Sequence, residues 1–168
     1  MTMTASTKTL FLVRHAKSDW QHVGITDHER PLNHRGTRDV AVIAARVAAR
    51  PDRPQLIVTS SALRALTTAQ AIAAALGFEP SALQVRDEIY HADADMLLNV
   101  IQRVDDRYER VMLVAHNPGM TEIANKLTGS AIDNMPTCGV AALRFDVTSW
   151  ADVRRRAATL VDFDYPKR

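Results

Sequence analysis

Three short apolar runs constrain this chain most: Thr9–Val13, Gln55–Thr59 and Val111–Ala115. Each is rich in β-branched and long aliphatic residues, about the length of a buried strand. Helical spacing follows each one. After the first come Val40, Ile43, Ala44 and Val47, opened by Asn33 as a cap and closed by Pro51 and Pro54. After the second come Ala62, Leu66, Ala69, Ala73 and Leu76, with Ser60 as cap and Gly77 as stop. After the third come Met120, Ile123, Ala124 and Leu127, with Asn117 as cap and Pro118 as first helical residue. Leu97, Val100, Ile101 and Val104 mark one more helix, Leu83–Arg86 a short strand, and Val140–Val147 with Thr159–Phe163 an antiparallel or edge pair. Strands alternating with helices predict an α/β fold, a three-layer α/β/α sandwich with a mainly parallel sheet. The 168 residues suit one domain over 9–168, behind a polar, frayed tail at 1–8.

In such a sheet the chemistry lies beyond the carboxyl ends of the strands. The first strand runs into Arg14 and His15, the second leads to Arg64 in the first turn of a helix, and the third ends at His116. Two arginines and two histidines therefore converge on one edge. Fixed guanidinium donors suit a phosphoryl group, and a histidine can serve as its covalent acceptor. Taken singly, each has a bland reading: a strand-end surface pair, a solvated helix arginine, a turn histidine. Their joint placement is what favours a site. The six histidines include no His-Glu-x-x-His and no helical pair at ligand spacing, and no glycine-rich nucleotide motif occurs, so neither metal nor cofactor is expected. A formal charge of +2, from 21 basic and 19 acidic residues, leaves no footprint for nucleic acid or membrane. Cys138 is the only cysteine, no apolar run spans a bilayer and no signal peptide opens the chain, so a cytoplasmic protein is expected. Nothing here fixes an oligomeric state.

Leu12-Val13-Arg14-His15-Ala16 resembles the Arg-His-Gly signature of the histidine phosphatase, or phosphoglycerate-mutase-like, superfamily. Ser60 to Ala69 is similar to its second arginine block, and Val114-Ala115-His116-Asn117-Pro118 to its second histidine block. Arg14 to Trp20 and Glu29 to Gly36 resemble the short, SixA-like phosphohistidine phosphatase branch. The resemblance implies the phosphoglycerate-mutase-like fold, His15 as the nucleophile that becomes phosphohistidine, and a phosphate pocket of Arg14, Arg64 and His116, with Ser18 also binding substrate. The leaving group needs a proton. Glu88 falls where longer relatives carry their acid; Asp19, Asp27 and no dedicated acid at all remain open. Trp20 reads as a packing anchor or a substrate wall. Lys17, Arg30 and Arg35 read singly as solvated loop charges and together as a basic rim that could meet an acidic partner.

The segment from Gly77 to Arg110 is too short for a large cap, so the pocket should be open. That favours a phosphorylated protein as substrate over a sugar phosphate, and disfavours a mutase. A non-catalytic phosphate-binding module is the other class of reading, since it needs the arginines but no nucleophile.

Overall fold

The computed structural model describes residues 6–168. Strand β1 (Lys8–Arg14) is the centre around which the other elements are laid. Its side chains alternate: Leu10 and Leu12 face one core, Phe11 and Val13 the other, and all four are buried. A strand that is apolar on both faces needs cover on both. Helices α1 (His34–Ala48) and α2 (Leu63–Leu76) supply one layer, packing with Phe11, Val13, Ile57 and Met112. Helices α3 (Ala94–Gln102) and α4 (Gly119–Thr128) supply the other, against Leu10, Leu12, Val58 and Leu113.

The sheet has six strands in the order β3-β2-β4-β1-β5-β6, adding β2 (Leu56–Ser60), β3 (Leu83–Arg86), β4 (Arg110–Ala115), β5 (Val140–Phe145) and β6 (Ala158–Asp164). β1 is parallel to β4 (Arg14 opposite Ala115), and β4 and β3 are parallel to β2. β5 runs antiparallel to β1 and to β6. The ends of β1, β2 and β4 thus fall on one edge, as the alternation predicts, and the sandwich is the expected three-layer α/β fold.

Four local readings shift. β1 begins at Lys8 rather than after it: the ammonium donates to the carbonyls of Asp106 (2.7 Å) and Tyr108 (3.1 Å), and the residue is buried. The rest of the predicted tail lies mostly outside the described residues. Ser60 does not cap α2, which starts at Leu63 behind Ala62; its hydroxyl accepts from Ala62 N and turns toward His116. The buried face of α2 is wider than expected: Ala69, Ala73 and Leu76 are buried as the spacing predicts, Arg64, Ala65, Thr68 and Ile72 join them, and Leu66 is only half-buried. Pro118 precedes α4 instead of opening it, although Asn117 Oδ1 still accepts from Thr121 N at 3.1 Å. By contrast, Asn33 caps α1 as expected, its Oδ1 accepting from Gly36 N at 2.8 Å. No helix among the described residues is long and apolar enough to cross a membrane.

Candidate active site

β1 delivers His15 one residue past its end. The backbone there is clamped from two sides. Cys138 N donates to the carbonyls of Arg14 and His15, and Arg14 N donates to Gly139 O. On the other side Ala16 N donates to Thr68 Oγ1 (3.0 Å), whose hydroxyl donates to Arg64 O on α2 (2.7 Å). One threonine therefore ties the histidine loop to the helix that carries Arg64.

His15 is 8% exposed. Its Nδ1 lies 2.7 Å from the carbonyl of Ala16, which can only accept. Nδ1 therefore carries the proton and Nε2 keeps its lone pair. Burial, then the charges of Arg64, Arg14 and Arg30, lower its pKa to about 4 despite the Ala16 bond. The imidazole is neutral near pH 7, as a nucleophile must be. His116 stands next to it with ring centroids 5.1 Å apart, its Nε2 2.7 Å from Ser60 Oγ. Burial, then the neighbouring His15 and Arg64, lower His116 to about 3.

Three guanidiniums surround this pair. Arg14 Nη1 donates to Met135 O at 2.8 Å. Arg64 donates to the carbonyl (2.8 Å) and carboxylate (3.1 Å) of Asp27. Arg30 is the third. It is 8% exposed, donates to Ser18 Oγ (2.5 Å) and Asp27 Oδ1 (3.0 Å), and lies under Trp20 with 3.5 Å from guanidinium to ring centroid. Asp27 also accepts a hydrogen bond from the Tyr90 hydroxyl. That bond, with Arg30 and Arg64, holds its carboxyl well below the usual carboxylate range. Among the described residues, the buried side-chain polar atoms without a partner are Arg14 Nε, Arg64 Nε and His116 Nδ1. Leaving buried polar atoms unpaired is costly, and all three belong to this one cluster. Beside them a cleft of about 460 Å³, lined by Arg64, Tyr90, His91 and His116, opens to solvent.

Residues 10–97 match the model of the histidine phosphatase superfamily, branch 1. The chain belongs to the histidine phosphatase superfamily. An uncharacterized protein of Mycobacterium tuberculosis is 32% identical over 165 residues, covering 92% of this chain and 100% of that one. An Agrobacterium tumefaciens structure assigned as a phosphohistidine phosphatase SixA is 31% identical with a TM-score of 0.79, covering 95% of this chain and 98% of that one. A protein histidine phosphatase SixA complexed with tungstate shares the fold at a TM-score of 0.79 with 19% identity, over 95% and 97% of the two chains. The fold is the phosphoglycerate-mutase-like one, and the enzyme class that goes with family and branch is a phosphatase hydrolase.

For a histidine phosphatase, the fold brings Arg14, His15, Arg64 and His116 together from three strand ends. Glu88 is elsewhere: 48% of its side chain is exposed, it pairs with Arg86 at 3.6 Å, and it makes no hydrogen bond to the cluster. The carboxylate delivered to the guanidiniums is Asp27. Asp19 is turned to Gln21 N (2.7 Å) and His22 (3.1 Å). Ser18 holds Arg30. Trp20 is 72% exposed and packs on Arg30 instead of anchoring the core. Arg30, expected on a rim, is inside because Ser18, Asp27 and Trp20 leave its charge paired and covered. Thr68, Tyr90 and the strap 135–139 carried no local signal. Their roles come from contacts about 50 to 125 residues away in sequence, so a pattern of neighbours cannot reveal them.

Proposed function

We propose that the protein hydrolyses a phosphoryl group through a covalent phosphohistidine on His15, and that its preferred substrate is phosphohistidine on a protein. The supporting observation is the tautomer of His15: a neutral ring, its proton committed to Ala16 O, with Nε2 free in the field of three guanidiniums. In the first step the Nε2 lone pair attacks phosphorus and the bond to the leaving group breaks, the leaving group keeping the electron pair. In the second, water attacks the phosphorus, the N–P bond breaks back to the neutral imidazole, and phosphate departs. Arg14, Arg64 and Arg30 stabilise the charge spread over the equatorial oxygens, with His116 beside them. Asp27 is ionised where it stands, so it holds Arg64 and Arg30 in position rather than donating a proton. Glu88 gains no support as the acid.

A site without a ready carboxylic acid works best on a substrate whose leaving group needs little help. The imidazole of phosphohistidine leaves more easily than an alkoxide. The open cleft also admits a side chain on a folded protein. The tungstate complex of the SixA relative fits this reading, tungstate being a phosphoryl mimic. The test is kcat/KM for a histidine-phosphorylated carrier protein against a panel of sugar phosphates. Preference for the carrier protein is expected; a sugar phosphate ahead by tenfold, about 1.4 kcal/mol, makes the enzyme a metabolite phosphatase on the same site.

A further inference from the structure

The loop that covers Arg30 has a second side. Between it and the first turns of α1 runs an open groove of about 780 Å³, lined in part by Lys17, Trp20, Arg35 and Arg38. The catalytic cluster makes no use of this groove, yet the two share a wall. Ser18 accepts from Arg30 on one side and lines the groove on the other, and Trp20 stacks on Arg30 while 72% of its surface stays open.

The groove is held rigidly. Asp19 N donates to Pro31 O (2.8 Å), Asn33 N to Lys17 O (3.0 Å), and Ser18 bridges Leu32. Gly36 lies so close to this loop that a Cβ there would stand 2.1 Å from Lys17 O. Its charge is one-sided. Among the described residues Lys17 and Arg38 have no carboxylate partner, and Arg35 has only Asp39 at 3.5 Å on its own helix. The one acidic lining residue, Asp19, is already turned to Gln21 N and His22. Beyond Trp20 the loop shows Val23, 99% exposed. An exposed tryptophan beside unpaired cations is the composition of a protein-binding surface.

We propose that this groove is the docking site for the substrate protein, and that it takes an acidic segment flanking the phosphorylated side chain, with Trp20 packing on the apolar part of that segment. This rests on the phosphohistidine-protein reading above. Complementary charge would act mainly on encounter and KM, because it lies outside the phosphoryl pocket.

The probes are two phosphohistidine peptides of equal length, one flanked by glutamates and one by lysines, with p-nitrophenyl phosphate reporting the basal chemistry. Wild type should favour the glutamate-flanked peptide at least tenfold in kcat/KM. The double variant Arg35→Glu/Arg38→Glu should cut that preference at least tenfold through KM, with p-nitrophenyl phosphate turnover within twofold of wild type. Trp20→Ala should raise KM for the glutamate-flanked peptide. Equal turnover of both peptides by wild type, or a preference that survives the double reversal, overturns the docking site and leaves the substrate class standing. Turnover of p-nitrophenyl phosphate with neither peptide accepted overturns the phosphohistidine reading, and the docking site with it.

Discussion

At the residue scale the chemistry turns on which nitrogen of His15 is free. The Ala16 carbonyl decides it, and the guanidiniums keep the ring unprotonated. Arg64 and Arg30 are each placed by more than one contact, which a lysine cannot reproduce. Arg64→Lys loses the paired contact with Asp27 and should cost about 2–4 kcal/mol in transition-state stabilisation, the scale of one preorganised donor. Arg30→Lys should act in the same direction, because it loses the bonds to Ser18 and Asp27 along with the Trp20 stack. Steady-state kcat/KM on p-nitrophenyl phosphate measures both. Wild-type rates in Arg30→Lys would return that arginine to a structural role. Asp27→Asn gives a separate reading: as a positioning residue its loss should lower kcat while leaving the dependence on leaving-group pKa unchanged, whereas a proton donor would steepen that dependence.

At the scale of elements, the strand ends carry the site only because the loops behind them are clamped. Gly36 shows how tightly. A methyl group at 2.1 Å from a backbone oxygen has no soft neighbour to push, so Gly36→Ala must displace the Lys17 loop, with a cost on the order of 1–3 kcal/mol. Urea unfolding should show the loss, and turnover should fall with it because Ser18 moves off Arg30. A wild-type midpoint would mean the loop adapts freely. What was legible in the sequence follows the same division. The buried runs of β1, β2 and β4 and the stripe Val40, Ile43, Ala44, Val47 were readable because strand and helix periodicities are local. The convergence of Arg14, His15, Arg64 and His116 was readable because a parallel sheet puts strand ends on one edge. The inward face of α2 was readable in part: Ala69, Ala73 and Leu76 are buried as the spacing predicts, while Arg64 and Thr68 turn inward through bonds to Asp27 and Ala16 that no local pattern reveals. Asp27 over Glu88, and the burial of Arg30, were hidden for the same reason.

At the scale of the whole molecule, two neutral histidines, His15 buried and His116 partly buried, tie stability to pH. Their folded values are about 4 and about 3, against an ordinary 6.5. In that window the unfolded chain binds more protons than the folded one, so stability is full above pH 6.5 and falls as pH drops toward 4. Each proton contributes a slope of up to about 1.4 kcal/mol per pH unit. Denaturant midpoints between pH 7 and 4.5 should show this loss, and His116→Asn should flatten it; a wild-type slope unchanged in that variant would place the titration elsewhere. Tungstate should work the other way. Bound at a hundred times its Kd, it should add about 2.7 kcal/mol to stability through mass action, and His15→Ala with Arg64→Ala should abolish the shift in Tm.

In the proposed mechanism a phosphoryl group is held on His15 during turnover. Rapid acid-free quenching of the enzyme with labelled substrate, followed by peptide mapping, tests it directly. A transient, acid-labile and base-stable phosphate is expected on Nε2 of His15, forming and decaying at rates consistent with kcat, with no label or turnover in His15→Ala. Turnover near the wild-type rate in His15→Ala, or a kinetically competent label on another residue, would contradict it.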